Sequence, residues 1–487
     1  MPPPQTITHW RTCIWNIWRH PSSIKHHHMF STIAIKEWRM VLRNHAMVAA
    51  LLSALLLSGI ASIGSRITLQ EEQREREAAN REFRRQWEQL QTNDPHGAAH
   101  FGTYIFKPLT ALSGFDRGLD PVTGSTLRIE AHIQHHTATP PLSPADVYLR
   151  FGELTPATVL QLFFPLLIFF LCFNSYAQER SSGTLRLMMI QGTNKGTIMW
   201  SKTIVYQCIV AGTMLLSLLL YLPVIFKAAS PLRILLLLMG YLCYSSIFVI
   251  IGIWVSAVAR NARQALLWLC SIWLIWNVIA PRLTTAAGAA LHPLPSQYAL
   301  QQKIDQAIKT GIDGNDPREA RTARLLHETL RQYQVADVSQ LPVNFNAIRL
   351  QADEDYAQQV YNKYAKATDS IIRLQNSINQ YAMLADPYLA IRSLSMALCG
   401  TDYDHQFYFD TEVRQYRNTF IHRLNQAMIY DREPPADLYY NMPVFHFEPP
   451  AISSTLSRQW LPLASLLLWI GVSISLLNSV ARHAPTE

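Results

Sequence analysis

Six stretches of the chain lack Asp, Glu, Lys and Arg: Arg43 to Arg66, Glu153 to Glu179, Lys202 to Lys227, Arg233 to Arg260, Arg263 to Arg282, and Arg458 to Arg482. They hold 22, 25, 24, 26, 18 and 23 residues, and about 20 helical residues cross a hydrocarbon core. Even the shortest reaches roughly 27 Å at about 1.5 Å per residue. The pattern predicts an α-helical integral membrane protein with six transmembrane helices, at residues 46–65, 157–178, 203–226, 234–259, 264–281 and 459–481. It leaves a leading region, 1–45, two long intervening segments, 66–156 and 282–458, a short link, 179–202, and a tail, 482–487.

The first long segment opens with opposite charges four apart, Glu72 with Arg76, Glu77 with Arg81 and Arg84 with Glu88, so the first helix runs on beyond the bilayer and stops near Asp94-Pro95. Residues 97–156 read as loop with a few strands. The second long segment is helical by its periodicity. Asp316, Pro317 and Glu319 predict an N-cap, a first-turn Pro and a capping-box acid. From Ile348 through Val360, Ile371 and Ile378 to Ala385, apolar residues recur at steps of three and four, which predicts one long helix with a continuous seam. Val413, Phe420 and Met428 mark another helix, and Glu433 to Pro450 an extended strap. A mainly α-helical extracytoplasmic domain that folds on its own is the expectation.

Two amphipathic pieces precede the first span. Trp10, Ile14, Ile17 and Trp18 line one; Phe30, Ile33, Ala34, Trp38 and Val41 line the other, with Lys36, Arg39 and Arg43 on its opposite face. Both read as interfacial helices on the cytoplasmic side, joined by a polar linker, Lys25 to His28. With the amino terminus placed inside, 13 basic residues face the cytoplasm against Glu37, Glu179 and Glu487, while each long segment is net −2. That asymmetry puts both termini in the cytoplasm and the long segments outside. It points the basic face at the lipid bilayer, with no nucleic acid partner.

Candidate chemistry is sparse. Gln161, Asn174, Gln207 and Asn277 are neutral, and no charge is expected inside a span, which argues against an ion-coupled carrier. Gly192 to Thr197 is not a phosphate-binding loop, so no cofactor is expected in this chain. His132, His135 and His136 lack an acidic or Cys partner at a diagnostic interval, and no metal is assigned to them. His405 with Asp402 and Asp404 lacks a recognisable nucleophile, which disfavours an outward-facing enzyme. Among the six cysteines only Cys399 lies outside; it leaves open one intermolecular bridge.

The link from Tyr176 to Gly192, with Glu179-Arg180, Gly183-Thr184-Leu185 and then Lys202 at the start of the next span, resembles the E-R-x-x-G-T-L signature of ABC-2 type exporter permeases. The large insertions and the stretch Gly400 to Asn425 are similar to a branch with a domain of unknown function, DUF3526. The resemblance implies coupling helices seated on separate ABC ATPase subunits, which bind ATP and Mg. It implies a second permease copy or paralogue and a place in the bacterial inner membrane. Glu179, Arg180, Gly183, Thr184, Leu185, Leu187, Ile190 and Gly192 are then the coupling residues. Gly183 is expected at a turn that a side chain would obstruct, Leu185, Leu187 and Ile190 in an apolar groove of the ATPase, and Glu179 and Arg180 paired with each other or with the amphipathic helix. The rival reading is a non-transporting subunit through which the ATPase drives the outer domain against envelope proteins.

Overall fold

The computed structural model describes residues 21–90, 94–134, 154–225, 230–430 and 437–483, without side chains for 21–28, 222–225 and 483. The first amphipathic piece, Cys13, His135 and His136 lie outside the described residues.

Among the described residues, six helices are long and apolar enough to cross a membrane. Helix α1, Pro21–Arg43, precedes them, and it is helical through Lys25 to His28, where a linker was expected. Helix α2, His45–Glu88, is the first span and its charged continuation in one piece, begun by Asn44, whose Oδ1 accepts from the amides of Ala46 and Met47. Short helix α3, Pro95–Phe101, is capped by Asp94 and leads into an antiparallel pair, β1 (Thr103–Phe106) with β2 (Thr126–Ile129). Then come spans α4 (Pro156–Ser181), a short helix α5 (Thr184–Ile190), α6 (Lys195–Ile225), α7 (Pro231–Val258) and α8 (Ala262–Leu291). The second long segment gives α9 (Gln297–Thr310), α10 (Arg318–Tyr333), α11 (Phe345–Ala382), α12 (Pro387–Cys399) and α13 (Tyr403–Ile429). The last span is α14, Trp460–His483.

Span α7 is the centre of the bundle, with Tyr244, Ile247, Phe248, Ile251 and Val255 all buried. Glycine makes the closest approach possible: a Cβ at Gly252 would lie 2.7 Å from that of Cys172 on α4. At the periphery, Leu52, Leu56, Ile60, Ile63 and Ile67 of α2 are exposed at steps of three and four, a stripe suited to lipid.

Three expectations for the second segment are corrected. Helix α10 starts at Arg318 with Pro317 at its N-cap, because Asp316 turns its carboxylate to Arg324 at 2.6 Å. The seam of α11 is not continuous: Ala347, Ala357 and Val360 are buried, but Leu374 and Tyr381 are exposed. Its second half has a close neighbour in α8, where Gly288 lets the helices meet at Gln375. Most importantly, 282–458 is not a separable domain. Helix α12 lies inside the membrane bundle, with ten of its thirteen residues buried, packed on α7 and α14.

The depth of α12 follows from its partners. Leu398 O accepts from Arg233 at the start of α7, Ser395 meets Tyr241 and Tyr388 sits near Tyr244, so α12 descends along half of α7. The turn joining α11 to α12 is held by span α14: Ser465 donates to Met383 O and Trp469 Nε1 to Leu384 O at 3.1 Å. Helices α11 and α12 thus form a re-entrant hairpin whose turn is bonded to span α14, with Met383 and Asp386 buried and Leu384 and Ala385 exposed. The same burial closes the possibility of an intermolecular bridge that was left open for Cys399, whose thiol is enclosed at the end of α12.

Gly240 on α7 is where the hairpin docks. A Cβ there would stand 3.0 Å from Leu394 Cδ2 and 3.3 Å from Ile391 Cδ1, whereas one at Gly212 on α6 would meet nothing. Gly240→Val is therefore expected to lower stability by about 1–3 kcal/mol through overpacking, while Gly212→Val changes little. Thermal melting of the purified protein in detergent checks this; equal melting of the two variants would mean that α12 does not dock as described.

Candidate coupling site

The link between α4 and α6 is built by local rules. Apolar helix ends at Cys172, the chain turns, and the hydroxyl of Ser256 on α7 accepts from the amides of Tyr176 and Ala177 at 3.0 and 3.2 Å, restarting the helix as far as Ser181. Gly183 then takes φ +73°, open only to glycine at low cost, ahead of α5. A Cβ there would touch nothing, so the turn needs glycine for its backbone angle and not, as expected, to avoid obstruction. Helix α5 ends in a Schellman motif: Thr193 N donates to Met188 O, Gly192 N donates to Met189 O, and Gly192 has φ +90°. Both glycines are thus fixed by backbone geometry.

Neighbouring residues Glu179 and Arg180 are not paired with each other. Glu179 reaches Lys202 of α6 at 3.0 Å and Lys36 of α1, while Lys202 also bonds Glu37 of α1 at 2.6 Å and Ser175 O at 2.9 Å. Lys202 and Glu37 are 0 % exposed. Two lysines and two carboxylates therefore form a neutral cluster, with Lys202, Glu37 and Glu179 buried and Lys36 partly open to solvent, the arrangement that allows ionised groups to be buried. Arg180 faces the other way. Its guanidinium donates to Ala259 O at 2.8 Å and to Ala257 O at the end of α7, and it lies over the Tyr176 ring, 5.6 Å from the centroid. A cation at those free carbonyls complements the helix C-terminus.

This arrangement corrects two expectations. Lys202 is not at the start of its span: α6 begins at Lys195, two turns earlier, so a charge is enclosed within the helix. Glu37, missed as a site residue, stands one turn from both Ile33 and Val41 on the buried stripe of α1, and a carboxylate in the middle of an apolar stripe was the available signal. Trp38, placed on the apolar face, is exposed, as are Arg39 and Arg43, while Lys36 is drawn to Glu179.

Helix α5 has two faces. Leu185 is buried in the bundle core, with Met188 and Met189 packed against it. Leu187 and Ile190 are 61 % and 73 % exposed, with Arg186 beside them. Leu185 is therefore part of this chain's own packing, and the surface offered to another molecule is Leu187 and Ile190. Thr184 bonds Ser182 at 2.8 Å across the Gly183 turn.

At the other end of the bundle lies a buried polar layer. The π-helical turns Val159–Phe163 and Ile275–Ile279 carry Gln161 and Asn277, and both meet Tyr244, whose hydroxyl donates to Gln161 O at 2.9 Å and to Asn277 Oδ1 at 3.1 Å. Gln161 bonds Tyr241 at 2.8 Å, and Tyr241 meets Ser395 of the re-entrant helix at 3.0 Å. Ser395 in turn bonds Asp116 at 2.5 Å. The spans hold no carboxylate here, but a segment between spans inserts one. His405, which with Asp402 and Asp404 was disfavoured as a catalytic group for want of a nucleophile, lies beside a cavity of about 310 Å³ between α13 and a short helix, Ile452–Arg458, that precedes α14. Asp402 caps α13 and holds His405 Nδ1 at 2.5 Å; Asp404 is engaged by Arg373 and Arg458, each at 3.0 Å.

Two family models match the chain. An ABC-2 family transporter protein model covers residues 126–300 and a domain of unknown function, DUF3526, covers 299–448. The first contains α5 and its charge cluster apart from α1; the second contains the re-entrant hairpin. No curated protein matches the chain.

Removing one member of the charge cluster strands the others. Lys202→Met leaves Glu37 and Glu179 enclosed with only Lys36 nearby, at a cost of about 3–5 kcal/mol, and adding Glu37→Gln is expected to recover a large part of it. A thermal double-mutant cycle reads this; additive losses would show that the two charges are not coupled.

Proposed function

Because the chain belongs to the ABC-2 family of transporter proteins, as the multi-pass membrane permease of an ABC transporter, we propose that it is driven by a separate ATPase gripping α5. One observation carries this reading: Leu187 and Ile190 stand out into solvent on a helix whose base is anchored on one side by the Glu179–Lys202 ion pair and on the other by the hydrogen bonds of Arg180 to the carbonyls at the end of α7. A membrane protein has little reason to expose two large aliphatic residues there unless a partner covers them. The partner supplies ATP and Mg binding, and this chain supplies none of the chemistry. A second copy or a paralogue completes the path across the bilayer.

The orientation places α1, α5 and both termini in the cytoplasm of a bacterial inner membrane, with the head formed by α3, α9, α10 and α13 in the periplasm. Charge asymmetry supports it, since this topology gives the cytoplasmic segments 13 basic residues. Export is the direction proposed, since the head then stands on the far side from the ATPase. Mechanical transmission to envelope proteins is the second reading, favoured by the hairpin: α11 carries the head's long axis directly into contact with spans α7 and α14 through α12. Any tilt of those spans moves the head.

In cells, a membrane-impermeant thiol reagent should reach Asn315→Cys and not Gln191→Cys in a chain without its native cysteines; the reverse pattern would overturn the orientation. For coupling, Leu187→Asp and Ile190→Asp should leave membrane abundance and melting unchanged while the ATPase retained on purification falls about tenfold, the effect of about 1.4 kcal/mol. Leu185→Asp, by contrast, should destabilise the permease itself. Normal ATPase retention and activity in both exposed-site variants would remove α5 as the point of coupling.

A further inference from the structure

Three histidines far apart in sequence converge on one face of the head. His96 and His100 stand one turn apart on α3, with their Nε2 atoms 3.2 Å from each other. His132 follows β2, and its ring centroid is 5.2 Å from each of the other two. One ligand atom from each of the three lies within 4.8 Å of the others. Two nitrogens bound tetrahedrally at about 2.0–2.1 Å from zinc are separated by roughly 3.3–3.4 Å, so the His96–His100 pair already spans an edge of such a site.

The third histidine is held in place by a buried framework. His132 has φ +63°, a backbone angle uncommon outside glycine. Glu354 of α11 fixes it there: Oε1 accepts from the His132 amide at 2.6 Å and from Nδ1 at 2.8 Å, while Oε2 is held by Arg417 of α13 at 2.8 Å. Arg417 Nε also donates to Glu130 O at 3.0 Å, two residues before His132. Glu354 and Arg417 are both buried. With Nδ1–H committed to a carboxylate, Nε2 of His132 keeps its lone pair, which is the carboxylate–histidine arrangement that orients a metal ligand.

We propose that His96, His100 and His132 form a binding site for a divalent transition-metal ion of the zinc class, with Glu354 as the positioning residue and solvent in the fourth place. Imidazole suits Zn²⁺, Cu²⁺, Ni²⁺ and Co²⁺ and not Mg²⁺ or Ca²⁺. His100 and His132 are exposed and His96 is half-buried, so an ion enters from solvent. All three ligands belong to the first long segment, so the bound ion ties α3 to the end of β2, and Glu354 of the second segment holds His132 in place for it. The site is independent of the coupling surface on α5.

The test uses the full chain in detergent, purified without a histidine tag and with His26, His27 and His28 changed to Ser. After dialysis against micromolar Zn²⁺, atomic emission should find one zinc per chain, and Co²⁺ should give the strong visible absorption of a four-coordinate ion. His100→Ala, an exposed change that leaves the fold intact by circular dichroism, should abolish the cobalt absorption and weaken zinc at least tenfold. Glu354→Gln should weaken it ten- to a hundredfold with all three ligands present. Zinc should raise the melting temperature of the parent and not of His100→Ala. Equal zinc uptake by the parent and His100→Ala, or a cobalt spectrum without four-coordinate character, would overturn the proposal.

Discussion

Lys202, enclosed between Glu37 and Glu179, is the interaction on which the coupling end depends. An ammonium group taken out of water is tolerated only with opposite charge and full hydrogen bonding around it, and here three separate pieces of chain provide that. Helix α1 brings Glu37 and Lys36, the end of α4 brings Glu179 and the Ser175 carbonyl, and α6 brings the lysine. None of the three can shift far without stranding a charge. Arg180 adds the link to α7 through its carbonyls. Two adjacent residues of opposite charge, facing opposite ways, therefore tie the base of α5 to most of the bundle. Under the proposed coupling through α5, a push there would be delivered to spans and not absorbed in a loop.

At the other end, the hairpin of α11 and α12 does for the head what the charge cluster does for α5. A helix of 13 residues is too short to span, but it buries ten residues against α7 and α14 and brings Ser395 into the layer of Tyr241, Gln161 and Asp116. The π turns in α4 and α8 are what aim Gln161 and Asn277 at Tyr244. Each adds one residue to a helical turn and so breaks the regular side-chain register, a feature found often at functional positions. Span α7 carries both ends: Ser256 holds the coupling link and Tyr241 holds the hairpin through Ser395.

What could be read from the chain was what depends on long uniform runs: six spans, the continuation of α2 past the bilayer and most of α11. A turn at Gly183 was also legible, although its cause is the backbone angle and not an obstructed side chain. Burial of individual residues was not. Leu185 and Leu187 are alike in type, and only the packing of α5 shows that one faces in and the other out. Lys202 marked the end of an uncharged run, so it looked like a boundary although the helix began seven residues earlier. The apolar run Pro387 to Cys399, interrupted by Arg392, fell below the length of a span and carried no sign of membrane depth. His132 was read with its sequence neighbours, while its spatial partners lie more than thirty residues away on α3.

The central claim is that α1, α5 and the adjoining spans move as one body when nucleotide binds the partner ATPase. Spin labels at Trp38 on α1 and Gln191 at the end of α5, both exposed, allow this distance to be measured by double electron–electron resonance in the purified complex. The account predicts one distance, unchanged between nucleotide-free and ATP-bound complexes, even as Gln191 moves relative to a label at Asn315 in the head. A change in the Trp38–Gln191 distance with nucleotide would show that the buried charges do not hold the coupling end together.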